Sequence, residues 1–318
     1  MEKLKLQFLE VSDALELGNP AIIEKDFWVV ALLVELVKVS PVHHQMVFSG
    51  GTALAKSNVQ ILRMSEDVDI KLIPKTAFES LSRAKKKAAR KTCINEIEQS
   101  ITLSTLFTIE ARIVRDGYRY VELELRYPQQ FSQAPCLRPI IKLELMETIP
   151  LLDVESRPIQ SLVAELYQRP QEVEAFDCIS IHATLVEKVI SMLRRTMSVK
   201  RDEQRKDDAT LVRHIYDVYC ILKTEEKEAG KLDLNALVAL FKTVLEEDIE
   251  RFGNQHVEFV TNPKLELQLG LQELEENPVF RQRFQDFVTP MVFNTATHDF
   301  DVCFASFKRI AEALIQTI

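Results

Sequence analysis

Residues 48–70 read FSGGTALAKSNVQILRMSEDVDI. An apolar run, Met46 to Phe48, leads straight into Gly50 and Gly51, and a second run carries Asp67 and Asp69 with Val68 between them. Two strands bracketing a glycine turn are therefore expected, with a short helix over residues 52–57. Side chains alternate faces along a strand, so Asp67 and Asp69 project to one side and Val68 and Ile70 to the other. Carboxylates held that near raise each other's proton affinity unless a positive charge lies between them. A hard divalent cation meets that demand, and Mg²⁺ prefers one or two carboxylates completed by phosphate oxygens and water. Glycines, lacking Cβ, let a polyphosphate approach the N–H groups at the start of the following helix. An isolated Asp-x-Asp is more often a solvated strand end. Here the order strand, Gly-Gly turn, helix and acidic strand carries the inference of a metal–nucleotide site.

The filling of the stretch is Gly50-Gly51-Thr52 with Leu54 and Lys56, then Arg63, Ser65 and Glu66 running into Asp67-x-Asp69. It resembles the AbiEii/AbiGii toxin branch of the DNA polymerase β-like nucleotidyltransferases, in which a Gly-Gly-Thr-x-Leu turn precedes Arg-x-Ser-x-Asp-x-Asp. The long spacer between Gly51 and Asp67, and Gly51 where many relatives have Ser, both fit this branch.

Composition bounds the rest. A chain of 318 residues with 46% hydrophobic content can bury a large core and form two packed lobes. The formal net charge of −8 gives no general attraction to nucleic acid, so any RNA must be held by local basic patches. Cys93, Cys136, Cys178, Cys220 and Cys303 are well separated and never form Cys-x-x-Cys, against both a disulfide framework and a zinc ribbon. With no membrane-length apolar run and no signal-peptide core in MEKLKLQFLE, a soluble cytoplasmic protein is expected.

Along the chain, Gly18-Asn19-Pro20 splits two N-terminal helices, with Asn19 as N-cap and Pro20 at the first helical position. The second holds Glu24-Lys25-Asp26-Phe27-Trp28, which also resembles this toxin branch; without the resemblance it reads as an amphipathic helix whose Trp28 packs on the sheet. Pro74 should end the acidic strand and a helix run from Thr76 to about Thr102. Its Arg83, Lys85, Lys86, Lys87, Arg90 and Lys91 are either a solvated face or a phosphate grip. Asp116-Gly117 between alternating runs signals a hairpin. In the strand IIKLELME, Lys142 and Glu144 share one face. His43-His44 should be solvent-exposed.

Beyond residue 160 helical periodicity dominates. Leu185, Val189 and Leu193 form one stripe with Lys188 at its margin, and Leu211, Ile215, Tyr219 and Leu222 another. Arg213 and Asp217, four apart, could be a simple surface ion pair. Between the stripes, RRTMSVKRDEQRKDD is expected as a loop beside the cleft, a contact for a polyanionic acceptor. By resemblance, RHIYDVY matches the Arg-x-x-x-Asp signature of the toxin branch and Lys188 its upstream helical lysine.

The expected fold is α+β: a polymerase β-like core with N-terminal helices over residues 1–160, and a helical lobe over 161–318. The resemblance implies a metal-dependent nucleotidyltransferase that moves an NMP from an NTP to an acceptor hydroxyl. Asp67, Asp69 and, as the third carboxylate, Glu144 would hold Mg²⁺ in a two-metal displacement. Gly50, Gly51, Thr52, Lys56, Arg63, Ser65 and Lys142 would bind the nucleotide, with Lys188 on the phosphates and Asp217 behind it. It further implies the toxin of a toxin–antitoxin or phage-defence pair, RNA (tRNA) as acceptor, and an antitoxin encoded nearby. A small-molecule nucleotidyltransferase of the antibiotic-modifying type, and a catalytically silent nucleotide-binding scaffold, stay open as alternatives.

Overall fold

The computed structural model describes residues 2–59, 61–132, 137–148, 154–202, 204–227, 232–288, 292 and 299–318. Cys136 lies outside them, as do Glu203 of the basic stretch and part of the loop before IIKLELME. The chain divides into two compact units, the first comprising Met1–Asn58, Met64–Pro150 and Val154–Ile179. Its seven strands are β1 His44–Ser49, β2 Asp67–Pro74, β3 Thr108–Arg115, β4 Tyr120–Arg126, β5 Ile141–Glu147, β6 Val154–Ile159 and β7 Val173–Ile179. They form one mixed sheet in the order β3-β4-β5-β2-β1-β7-β6, in which β2 runs parallel to β5 and β1 parallel to β7.

Period-two alternation decides which face is buried. Phe48, Val68, Ile70, Leu123, Leu143 and Leu145 pack in one apolar cluster with Val29, Leu33 and Leu36 of the Pro20–Val37 helix and Ile94, Ile97 and Ile101 of the Arg83–Leu103 helix. The residues between them (Asp67 and Asp69, Lys142 and Glu144, Glu122 and Glu124) therefore point to the other face. Asn19 caps the Pro20–Val37 helix, its Oδ1 accepting from the Ala21 N–H at 2.9 Å.

Several local expectations change. The helix expected from Thr76 is two: Thr76–Glu79 and Arg83–Leu103, the latter capped by Ser82, whose side-chain oxygen accepts from Lys85 N. Arg90 is no solvated cation, since its guanidinium is bidentate to Glu147 at 2.6 and 2.7 Å. His44 is buried rather than exposed, with Nε2 3.1 Å from Glu147 Oε2. Burial opposes the charge on Glu147, but hydrogen bonds from His44 and Arg90 hold its carboxyl down at about 2. Past residue 160 the sheet gains β7, whose apolar positions Val173, Phe176 and Cys178 are interrupted by Glu174 and Asp177, too short a pattern to register as a strand.

The second unit contains Val59–Arg63 and Ser180–Ile318. Its Ile181–Arg201 helix buries Leu185, Val186, Val189, Ile190 and Leu193 and packs on the helices Arg213–Lys227, Leu234–Phe252 and Pro263–Glu276. Gly270 allows the last approach, because a Cβ there would lie 2.6 Å from the Leu193 carbonyl oxygen. The stretch expected as a basic loop is helical through Arg201, with only residues 202–208 left to connect onward. The apolar stripe continues into it through the buried Met197, and tertiary burial overrides the loop-like composition.

Candidate functional site

The Asp pair and the glycine turn meet within the first unit. Antiparallel pairing sets Ser49 opposite Asp69, which brings the end of β1 and the turn alongside the acidic strand. Gly50 has φ +76°, a conformation that glycine adopts without strain. A Cβ there would overlap Asp69 Oδ2 and sit 2.9 Å from its Cγ, so the Asp69 carboxylate rests directly on the turn. Gly51 follows inside the Gly50–Ala55 helix. Thr52, buried in the same helix, has its hydroxyl on the Asp67 carbonyl and 3.0 Å from Ser65 Oγ, while Ser49 Oγ donates to the Asp69 carbonyl at 3.1 Å. Three hydroxyls thus fasten the turn to the start of β2.

The parallel β2–β5 register places Asp67 beside Lys142 and Asp69 beside Glu144, and β4 adds Glu122 opposite Glu144. Asp67, Asp69, Glu144 and Glu122 therefore share one face. Lys142 stands among them, paired with Glu144 and 3.2 Å from Glu122, which also accepts from Tyr120 Oη at 2.7 Å. Burial works against charge on Lys142, yet Glu144 and Glu122 hold its proton affinity above the ordinary lysine value. Burial likewise raises Asp67, and the neighbouring Glu66 and Glu144 carboxylates add to the rise against Arg138 and Lys142. A cation bound there would favour the charged carboxylate that burial disfavours.

Arg138, which carried no signal in the sequence reading, reaches Asp67 Oδ1 through Nη1 at 2.7 Å. Its backbone is fixed from beneath. Lys25, fully buried, donates to Glu66 Oε2 at 2.7 Å and to the carbonyls of Arg138 and Ile140 at 2.6 and 2.8 Å, and Arg138 N donates to Glu66 Oε2 at 2.8 Å. Glu24 accepts from the N–H groups of Gln130 and Phe131 at 2.7 and 3.1 Å. Asp26 accepts from Leu162 N at 2.7 Å and pairs with Lys56, which also donates to Gln160 O at 3.0 Å. Glu24-Lys25-Asp26 is thus a buried clamp on the loops around the acidic strand, and Lys56 belongs to that clamp.

The other expected site residues gather in the second unit. Asp217, fully buried, takes Arg63 Nε and Nη2 at 2.7 Å each and Lys188 Nζ at 2.8 Å. Burial alone would raise its pKa, but Arg63 and Lys188 hold the carboxyl far below the usual range. Arg213, four residues before Asp217, directs Nε to the Thr210 carbonyl at 3.1 Å. Tyr216 Oη donates to the Ile61 carbonyl at 2.7 Å, so the spacer between turn and acidic strand is anchored in the helical unit. The expected residues fall in both units: Gly50, Gly51, Thr52, Lys56, Ser65, Asp67, Asp69, Lys142 and Glu144 belong to the first, and Arg63, Lys188 and Asp217 to the second.

As donors for a hard cation, Asp67 and Asp69 present two carboxylates on one face, which suits an ion whose remaining ligands are phosphate and water. Glu144 is committed to Lys142, and among the described residues no three Asp, Glu, His or Cys side chains converge as a metal set. No helix among those residues is long and apolar enough to cross a membrane.

No curated protein matches the chain. Among solved structures it is similar to MenT4, a nucleotidyltransferase toxin from Mycobacterium tuberculosis H37Rv, with a TM-score of 0.58 at 14% identity over 96% of this chain and 89% of that one. At that identity the likeness speaks for the fold alone. The family described as nucleotidyl transferase AbiEii toxin, type IV TA system, matches residues 31–306. With most of its length matched, turn and acidic strand included, the chain belongs to the AbiEii family of nucleotidyltransferase toxins of type IV toxin–antitoxin systems.

Proposed function

We propose that the protein transfers a nucleoside monophosphate from an NTP to a hydroxyl of RNA, with tRNA as the acceptor class, in a reaction dependent on Mg²⁺. The observation that carries this is the seating of Asp69 on Gly50 with Asp67 one alternation away on the same face. Asp67 and Asp69 would hold the ion, with Glu144 available if Lys142 releases it. When bound, the ion supplies charge neutralisation on the phosphates and acidifies an attacking hydroxyl. Gly50, Gly51, Thr52 and Ser65 form the turn against which the triphosphate would lie, and Lys142 adds a cation on that face. Lys188, its ammonium oriented by Asp217, is kept as the candidate for phosphate charge. Lys56, which holds both Asp26 and the Gln160 carbonyl, and Arg63, bidentate on Asp217, are better assigned to holding the fold than to the expected nucleotide contact. The biological role proposed is growth arrest or phage defence, restrained by an antitoxin encoded nearby.

The test is incubation of the purified protein with each α-labelled NTP, Mg²⁺ and total RNA. Label in the tRNA band is expected. Label on a small acceptor would support the antibiotic-type alternative, and retained NTP binding without label the silent scaffold.

A further inference from the structure

The basic stretch 194–206 is mostly neutralised where it stands. Arg194 donates to Asp248 at 2.8 Å, Arg195 to Asp208 at 2.9 Å and Arg201 to Glu266 at 2.6 Å, while Lys200 pairs with Glu273. Lys206 differs. It is exposed and makes no ion pair or hydrogen bond with the described residues. It lines a cavity of about 200 Å³ that lies wholly in the second unit. Arg195 and Arg283 also line it, each paired with an aspartate of the connecting segment, Asp208 and Asp207 respectively. Leu211, Val212 and Phe280 supply an apolar floor, all three buried.

A second observation marks the cavity as a site. Thr196 lines it, is only 7% exposed, and its Oγ1 has no hydrogen-bond partner. A buried hydroxyl without a partner is uncommon, because desolvation without compensation is unfavourable. An uncompensated ammonium, an unsatisfied hydroxyl and an apolar floor around one cavity ask for a ligand with several acceptor oxygens and a flat or apolar body. A phosphate, with more acceptor oxygens than a carboxylate and a charge suited to Lys and Arg donors, answers the first requirement. The volume falls below the roughly 300–1,000 Å³ of drug-sized ligands, so the cavity itself takes a phosphate and the adjoining part of its carrier, the remainder lying at the mouth.

We infer that this cavity binds a phosphomonoester carried on a nucleoside, with Lys206 and Thr196 Oγ1 donating to the phosphate and the Leu211–Val212–Phe280 floor receiving the body. The source is either a free nucleoside monophosphate or the 5′-phosphorylated end of a strand.

The experiment is calorimetric titration of the full-length protein, with EDTA present so that the acidic site takes up no metal nucleotide. Ligands are AMP, adenosine, inorganic phosphate, and an RNA tetramer with or without its 5′-phosphate. AMP should bind, adenosine should bind at least tenfold more weakly, and inorganic phosphate should also be weaker. Removing a charge-assisted donor in Lys206→Ala should weaken AMP about tenfold, and removing a neutral donor in Thr196→Val about threefold. Thr196→Val is isosteric and loses only an unpartnered hydroxyl, so its melting temperature should not fall. A preference for AMP over the phosphorylated tetramer identifies the free nucleotide as source, and the reverse identifies the strand end. Equal AMP affinity in the parent and both variants, or binding lost only in Asp69→Asn, would overturn the assignment. Labelling of RNA is measured separately, so failure here leaves the transfer reaction standing, and the converse holds.

Discussion

Replacing Gly50 with alanine tests the juxtaposition on which the site depends. Two costs are separable. At φ +76° an L-residue sits in the left-handed region, a penalty of about 1–2 kcal/mol. In addition, the new Cβ would lie 2.9 Å from Asp69 Cγ. Ordinary carbon contacts are about 3.5–4.0 Å, so the carboxylate must retreat by roughly 1 Å, at a strain of about 1–3 kcal/mol. Together the substitution should destabilise by about 2–5 kcal/mol, read as a fall in the urea midpoint at constant slope. A misplacement of that size at a reacting centre costs about a hundredfold in rate, so NMP transfer should drop by at least about that factor under conditions where the protein remains folded. Because Asp69→Ala removes Cγ and both oxygens, Gly50→Ala in that background should cost the backbone penalty and only the residual 3.1 Å approach to the Cβ of residue 69. The double-mutant cycle should therefore show a coupling of about 1–2 kcal/mol. A Gly50→Ala protein that labels its acceptor at the parental rate, or a coupling near zero, would refute the placement of Asp69 on the turn.

Four further outcomes are expected. Asp217→Asn leaves Arg63 and Lys188 buried without their carboxylate and should lose about 3–5 kcal/mol at neutral pH. Because the folded-state pKa of Asp217 is depressed, its stabilisation is present above the unfolded carboxylate value near 3.9 and fades as pH falls below it; the gap between parent and variant in urea melts should narrow only under acid. Lys25→Met, which strands Glu66 and two carbonyl oxygens, should cost about 3–5 kcal/mol and lower the melting temperature, whereas a protein of unchanged stability would deny the clamp its role. Chelation of divalent cations should stop NMP transfer and added Mg²⁺ restore it, with Asp69→Asn unresponsive to either. Lys142→Met frees Glu144, so Mn²⁺ affinity measured by electron paramagnetic resonance should rise in this variant if Glu144 is a latent ligand and stay level if it is not.

Much of the architecture was legible in the chain, because it rests on short-range rules. Alternation placed Asp67 and Asp69 together and Lys142 with Glu144; Asn19-Pro20 and Asp116-Gly117 marked a helix start and a hairpin; the paired glycines marked the turn. These features depend on backbone periodicity and local sterics, which a linear string carries. Partner choice does not. Whether Arg63 serves a triphosphate or a buried aspartate depends on which side chain 154 residues away arrives beside it. The same holds for Lys56 against Asp26, Arg90 against Glu147, and Arg138 against Asp67. Charge in a sequence states only what needs compensating, while burial and the competition among neighbours decide what compensates it. The sequence by itself therefore determined β1 to β5, the turn and the face shared by Asp67 and Asp69. The tertiary structure decided which cations are spent on holding that face in place and which remain for a ligand, because desolvation binds each buried charge to whatever counter-charge the packed chain brings within reach.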